Sequence, residues 1–187
     1  MVNTFEDLIC DYYHIEKDSS QKAYELYLEE LSKEKVNFPT LLTELSSDKS
    51  LQLLRKSHDK LDDYVWIKSF NDKHKLSYLS FRAFTSEELK KFEDIEFYEK
   101  YISKIMEKDF VYIINYKEEF SDKIISHCNN NNIKDFILTF RESYNNDPLL
   151  IAPLLNLKEH DFKNQAIKTF IAFELFYACL NSHIQNE

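Results

Sequence analysis

The side chains best able to do chemistry in this chain of 187 residues are six histidines and three cysteines, and their spacing limits what they can do. A helical di-iron centre needs Glu-x-x-His motifs from facing helices. No histidine here has a glutamate three residues before it, and Asp11-x-x-His14 is the nearest approach. A metalloprotease helix needs His-Glu-x-x-His, which does not occur. Cys10, Cys128 and Cys179 lie too far apart for a zinc or redox spacing. No metal and no cofactor is expected. The cysteines read as small hydrophobes in a reducing cytoplasm.

Nucleophilic chemistry finds no better anchor. Cys10 and His14 stand one helical turn apart and can touch. His127 and Cys128 are adjacent, and Arg55 precedes His58 by three residues. A working nucleophile also needs an orienting base and donors for the developing oxyanion. Nothing in the sequence supplies them, so these pairs read as packing and no catalytic residue is expected.

What remains is surface. Between Thr85 and Glu99 stand Glu87, Glu88, Glu93, Asp94, Glu96 and Glu99, interleaved with Phe92, Phe97 and Tyr98. A smaller group joins Asp62, Asp63 and Tyr64 to the only tryptophan, Trp66. Carboxylates steer a basic partner, and tyrosine or tryptophan anchors carry much of an interface's energy. The six acids of the first group and the four residues of the second are the candidate partner-binding set. The plainer reading makes each group an amphipathic helix, acids outward and aromatics inward.

The elements that hold these residues are constrained by an omission: the chain contains no glycine. At the average usage of about 7%, roughly 13 would be expected. Glycine lets a backbone take positive φ or approach a ligand closely. Its absence excludes phosphate loops, dinucleotide-binding turns and EF-hand loops in their standard forms. It also removes the usual two-residue hairpin turns. With only three prolines besides, Pro39, Pro148 and Pro153, the composition is that of a helical protein.

Apolar residues recur at three- and four-residue spacing along almost the whole chain. Thr4, Ser19 or Ser20, Asp48 and Ser121 are expected to cap helices, and Thr85 to Glu88 forms a capping box. The helix after Asp48 is expected to run through Val65. Phe110 to Ile114 is strand-like in composition, yet with no turn residues around it a buried helical turn is expected. Asparagine, the usual stand-in for glycine at φ > 0, is expected to end helices at Asn37, Asn71, Asn129, Asn145 and Asn156. The last helix, about Glu159 to His183, is apolar on every side and therefore buried. The fold expected is all-α: one domain over residues 1–187, a compact bundle of about seven to nine helices around that C-terminal helix.

The net charge of −9 disfavours nucleic acid and anionic membranes as direct partners. The first residues lack the basic and apolar regions of a secretory signal. A cytoplasmic location is expected. The functional expectation is a small acidic protein-binding inhibitor, with an immunity protein that neutralises a basic toxin such as a nuclease as its concrete form. The alternative is a helical enzyme or small-ligand sensor with an internal aromatic pocket, in which Arg55, His58 and Tyr64 converge.

Overall fold

The computed structural model describes residues 1–33, 37–61, 64–70, 110–141 and 148–184. The chain divides into two compact units, Met1–Ile67 with Ile114–Glu187, and Lys68–Ile113. Of the second unit, the described residues are the strand segments 68–70 and 110–113.

The first unit is helical. Helix α1 (Val2–Tyr13) buries Phe5, Ile9 and Cys10, a stripe repeating every three to four residues. It ends at His14, whose φ of 56° is left-handed. The Ile15 N–H then reaches back to the Cys10 carbonyl at 2.9 Å, the closure a glycine usually makes. A 3-10 turn (Lys17–Ser19) leads into α2 (Ser20–Leu31), which buries Ala23, Tyr24, Tyr27, Leu28 and Leu31. Helix α3 (Phe38–Leu45) has Pro39 in its first turn, where a missing N–H costs nothing, and buries Leu41, Leu42 and Leu45. Helix α4 (Asp48–Lys60) opens on a reciprocal box in which Ser47 and Ser50 each satisfy the other's backbone N–H. Asp48 is thus its first residue and not its cap. Met1 and Glu118, likewise, stand at the caps expected of Thr4 and Ser121. The box at Thr85 to Glu88 lies outside the described residues.

Helix α4 stops before Val65. Leu61 O accepts the N–H groups of Val65 and Trp66 at 2.9 and 3.2 Å, and the chain turns into strand β1 (Trp66–Phe70). Its neighbour in a two-stranded sheet is β2 (Phe110–Ile114). This corrects the expectation of a helical turn at Phe110 to Ile114. Aromatic and β-branched residues favour a pleated backbone once a partner strand takes up the ladder bonds, and that partner lies some forty residues earlier. In the helical unit, Asn115 N–H donates to Val65 O at 2.7 Å, continuing the pairing.

Four more helices complete the unit: α5 (Glu119–His127), α6 (Asn131–Phe140), α7 (Pro148–Leu154) and, after a 3-10 turn (Glu159–Lys163), α8. Helix α8 runs without a break through Gln165–Phe170, a π-helical segment Ile171–Tyr177, and Ala178–Ile184. All seven residues of the π segment are buried. Phe5 meets Phe176 at 4.9 Å between ring centres, Phe120 meets Phe173 at 5.1 Å, and Phe136 meets Phe170 at 5.5 Å. The chain is therefore mostly helical, with eight helices among the described residues, a bundle around a buried C-terminal helix.

Asparagine ends a helix in the left-handed region as expected at Asn156, but begins one at Asn37. Among the described residues only His14 and Asn156 have positive φ. Asn71 and Asn145 lie outside them. Asn37 begins a helix, as do Asn130 and Asn164, each accepting a backbone N–H in the first turn. The carbonyl oxygen suits a helix start at least as well as the left-handed region. The run Asn129 to Asn132 is a polar staple. Asn132 Nδ2 donates to the carbonyls of Leu154 and Leu155 (3.0 and 3.2 Å), closing the end of α7. Asn164 Nδ2 donates to His127 O and Asn129 Oδ1 (3.0 and 3.2 Å), joining the end of α5 to the start of α8.

Candidate functional site

The most unusual chemistry in the helical unit lies at Glu174, in the middle of the π segment. It is 3% exposed. The Tyr116 hydroxyl, from the chain just after β2, donates to Glu174 Oε2. Arg141 Nε holds the Tyr116 carbonyl at 2.8 Å and its guanidinium pairs with Asp122. The Ser121 hydroxyl donates to Asn115 O at 3.0 Å, fixing the start of α5 against the same stretch. Beside Glu174 is a cavity of about 10 Å³, walled mainly by Phe120, Ile124, Ile137, Phe170 and Phe173. That is room for a single water, whereas small-molecule sites run to about 300 Å³ and more. The cavity positions a carboxyl group in apolar surroundings; it does not hold a substrate.

The π segment has its own satisfied backbone. Ala178 N–H bonds to Phe173 O, five residues back. The Tyr27 hydroxyl donates to Leu175 O at 2.7 Å, and the Cys179 thiol to Glu174 O at 3.4 Å. π turns inside α-helices are rare and concentrate at functional positions. The sequence offers one signal for this site. Glu174 is the only charged residue between Ile171 and Leu180.

The partner-binding set divides sharply. Asp62, Asp63, Glu87, Glu88, Glu93, Asp94, Glu96 and Glu99 lie outside the described residues. Tyr64 is half-buried, with Lys123 Nζ 3.0 Å from its hydroxyl and 5.5 Å from its ring centre. Lys123 also pairs with Glu119 at 2.7 Å. Trp66 corrects the expectation of a surface anchor. It is fully buried, its indole N–H donates to Ser57 Oγ at 3.0 Å, and its ring packs edge-on to His58 and against Phe173. An indole whose N–H has a partner is an economical core residue. Arg55 is exposed, His58 turns to Trp66 and Tyr64 to Lys123 and Phe120, so the three do not converge.

An acidic, tyrosine-bearing surface does occur among the described residues, assembled from three helices. Residues 1–33 carry eight carboxylates against three lysines; Glu6, Asp7, Glu25 and Glu30 are each paired with a lysine, and Asp11 and Glu29 are among those left to the exposed face. Tyr12, 36% exposed at the end of α1, donates to Glu44 Oε2 on α3 at 3.0 Å. Burial first, then its bond to Glu44 and the charges of Glu44 and Glu30, raise its pKa. Tyr13 packs edge-on against Tyr12 at 4.8 Å, and its buried hydroxyl has no hydrogen-bond partner among the described residues. No run of the sequence marks this surface, because its residues are brought together only by the packing of α1, α2 and α3.

Neither Cys10 nor Cys128 is poised for attack. Burial raises the Cys10 pKa, with Glu6, Asp11 and Asp7 adding to the effect, and burial raises that of Cys128. A nucleophilic cysteine needs the opposite shift. His14 caps α1 in the solvent, and His127 Nδ1 lies 2.9 Å from Lys123 O. Among the described residues no group of three metal-ligating side chains converges, and no helix is long and apolar enough to cross a membrane. No family model matches the chain, and neither a curated protein nor a solved structure shows significant similarity to it.

Proposed function

We propose that this chain is a binding protein that engages a basic protein partner through its carboxylate-rich surface. The observation that carries the reading is the exposed Tyr12, bonded to Glu44 and close enough to Glu30 for both charges to raise its pKa. Interfaces are steered by complementary fields and anchored by aromatic side chains. Asp11, Glu29 and Glu44 are exposed and Tyr12 stands among the helices that bear them. The narrower reading is an immunity protein, in which the partner is a toxin such as a nuclease whose own anionic substrate demands a basic cleft. The carboxylates of Glu87 to Glu99 extend the same charge in sequence.

The test is co-expression with the products of the adjacent genes, followed by association kinetics with whichever protein co-purifies. Asp11→Lys with Glu44→Lys is expected to slow association about tenfold and to weaken its salt dependence, because steering acts on the on-rate. A basic partner that binds both proteins at equal rates sinks the role of this surface. Protection of cells from a toxic neighbouring product separates the immunity reading from binding in general.

A further inference from the structure

We propose that the buried Glu174–Tyr116 pair is a register pin for α8, fixing which rotation of that helix the core accepts. From Ile171 to Leu180 the helix is Ile-Ala-Phe-Glu-Leu-Phe-Tyr-Ala-Cys-Leu. Every residue from Ile171 to Tyr177 is buried. A helix that is apolar on all sides and covered on all sides gains nearly the same hydrophobic free energy in neighbouring rotations. Burial alone therefore selects no register here.

The backbone is equally permissive. Within one continuous helix it passes from α bonding to a π segment and back. Each change of bonding pattern shifts the following residues around the axis. The one charged side chain in the run has a specific donor, Tyr116, and the carbonyls of Glu174 and Leu175 take the Cys179 thiol and the Tyr27 hydroxyl. These polar contacts differ between rotations, together with the ring contacts of Phe170, Phe173 and Phe176. A buried carboxylate costs desolvation energy that a well-packed apolar residue does not. Its best-attested use is registry, as with a single buried asparagine in a coiled coil.

The register so fixed has consequences at the far end of α8. Tyr177 donates its hydroxyl to Met1 O at 3.2 Å, and His183 Nε2 lies 3.2 Å from Thr43 Oγ1. Thr43 adjoins Glu44, the acceptor of Tyr12. A slipped α8 releases the start of α1 and loosens α3 together.

Glu174→Leu in the full chain tests this. The expected result is a thermal midpoint equal to or above that of the wild type, with doubled or broadened amide signals from Tyr177 to Asn181. Their hydrogen exchange is expected to be about tenfold faster, as local opening allows. A lowered midpoint with one sharp set of native signals overturns the proposal, since Glu174 is then an ordinary stabilising contact. Tyr116→Phe removes this hydroxyl and leaves the acid, and carries the test where Glu174→Leu does not fold. It is expected to give the same doubling or broadening, and a single native set there overturns the proposal as well.

Discussion

Tyr27 on α2 and Leu175 on α8 are 148 residues apart in sequence and joined by a hydrogen bond of 2.7 Å from hydroxyl to carbonyl. Tyr27 is fully buried, so this carbonyl satisfies a polar group that water cannot reach. Its ring also meets Phe5 edge-on at 5.2 Å. Tyr27→Phe keeps the ring and removes the bond. Stability is expected to fall by about 1 kcal/mol, the usual net worth of such a bond. Urea denaturation reads the loss.

Alkaline pH should unfold the protein through its buried tyrosines. Burial raises the pKa of Tyr24, Tyr27 and Tyr177, each fully buried, well above the ordinary phenol value. A group whose pKa is higher in the fold stays protonated there while the unfolded chain releases its proton. Its contribution is whole below the unfolded value near 10 and is lost as pH climbs towards the folded value. Between those limits stability should drop by about 1.4 kcal/mol per pH unit for each such tyrosine. Denaturation midpoints from pH 9 to 12 check the slope. Tyr27→Phe should make it shallower by one tyrosine's share.

Asn164 does three jobs from one side chain. Its oxygen caps α8 at the N–H groups of Ala166 and Ile167, at 2.8 and 3.3 Å, and its amide nitrogen bonds His127 O and Asn129 Oδ1. Asn164→Ala should cost about 2 kcal/mol, the upper end for a lost cap. Asn164→Asp keeps the cap and loses the donor, and should recover part of that cost. Thermal melts of the two variants distinguish the roles.

Trp66 is a built-in reporter. An indole with no exposure and a neutral donor bond to Ser57 should emit at short wavelength and resist quenching by acrylamide. Unfolding should shift the emission to the red. Trp66→Ala should destabilise by about 3–5 kcal/mol through the cavity it leaves. Trp66→Phe should leave the association rate with a basic partner unchanged. A slower association at unchanged stability would return the indole to the interface.

The helical class was readable because it follows from composition, and the burial of α8 because its apolar residues leave no polar face. Local chemistry was half readable. Pro39 falls in a first helical turn as its fixed φ requires, while the Ser47–Ser50 box lacks the acid that marks such boxes in a sequence. What depends on distant partners was not readable. Phe110 to Ile114 becomes a strand because Trp66 to Phe70 lies beside it. Trp66, written next to Asp62 and Asp63, looks like a surface residue until α4 and Phe173 close over it. Tyr116 and Glu174 are 58 positions apart, and nothing local to either marks the other.

The order of the helices has a consequence for synthesis. Phe5 finds a covering ring and Tyr27 its acceptor in α8, which follows every other described helix of the unit in the chain. While the ribosome is still adding residues before Gln165, the nascent polypeptide carries Phe5 without Phe176 and the Tyr27 hydroxyl without its acceptor. A premature stop before that point should yield sticky, protease-sensitive product and no smaller native species, and chaperone dependence should be greatest just before α8 emerges.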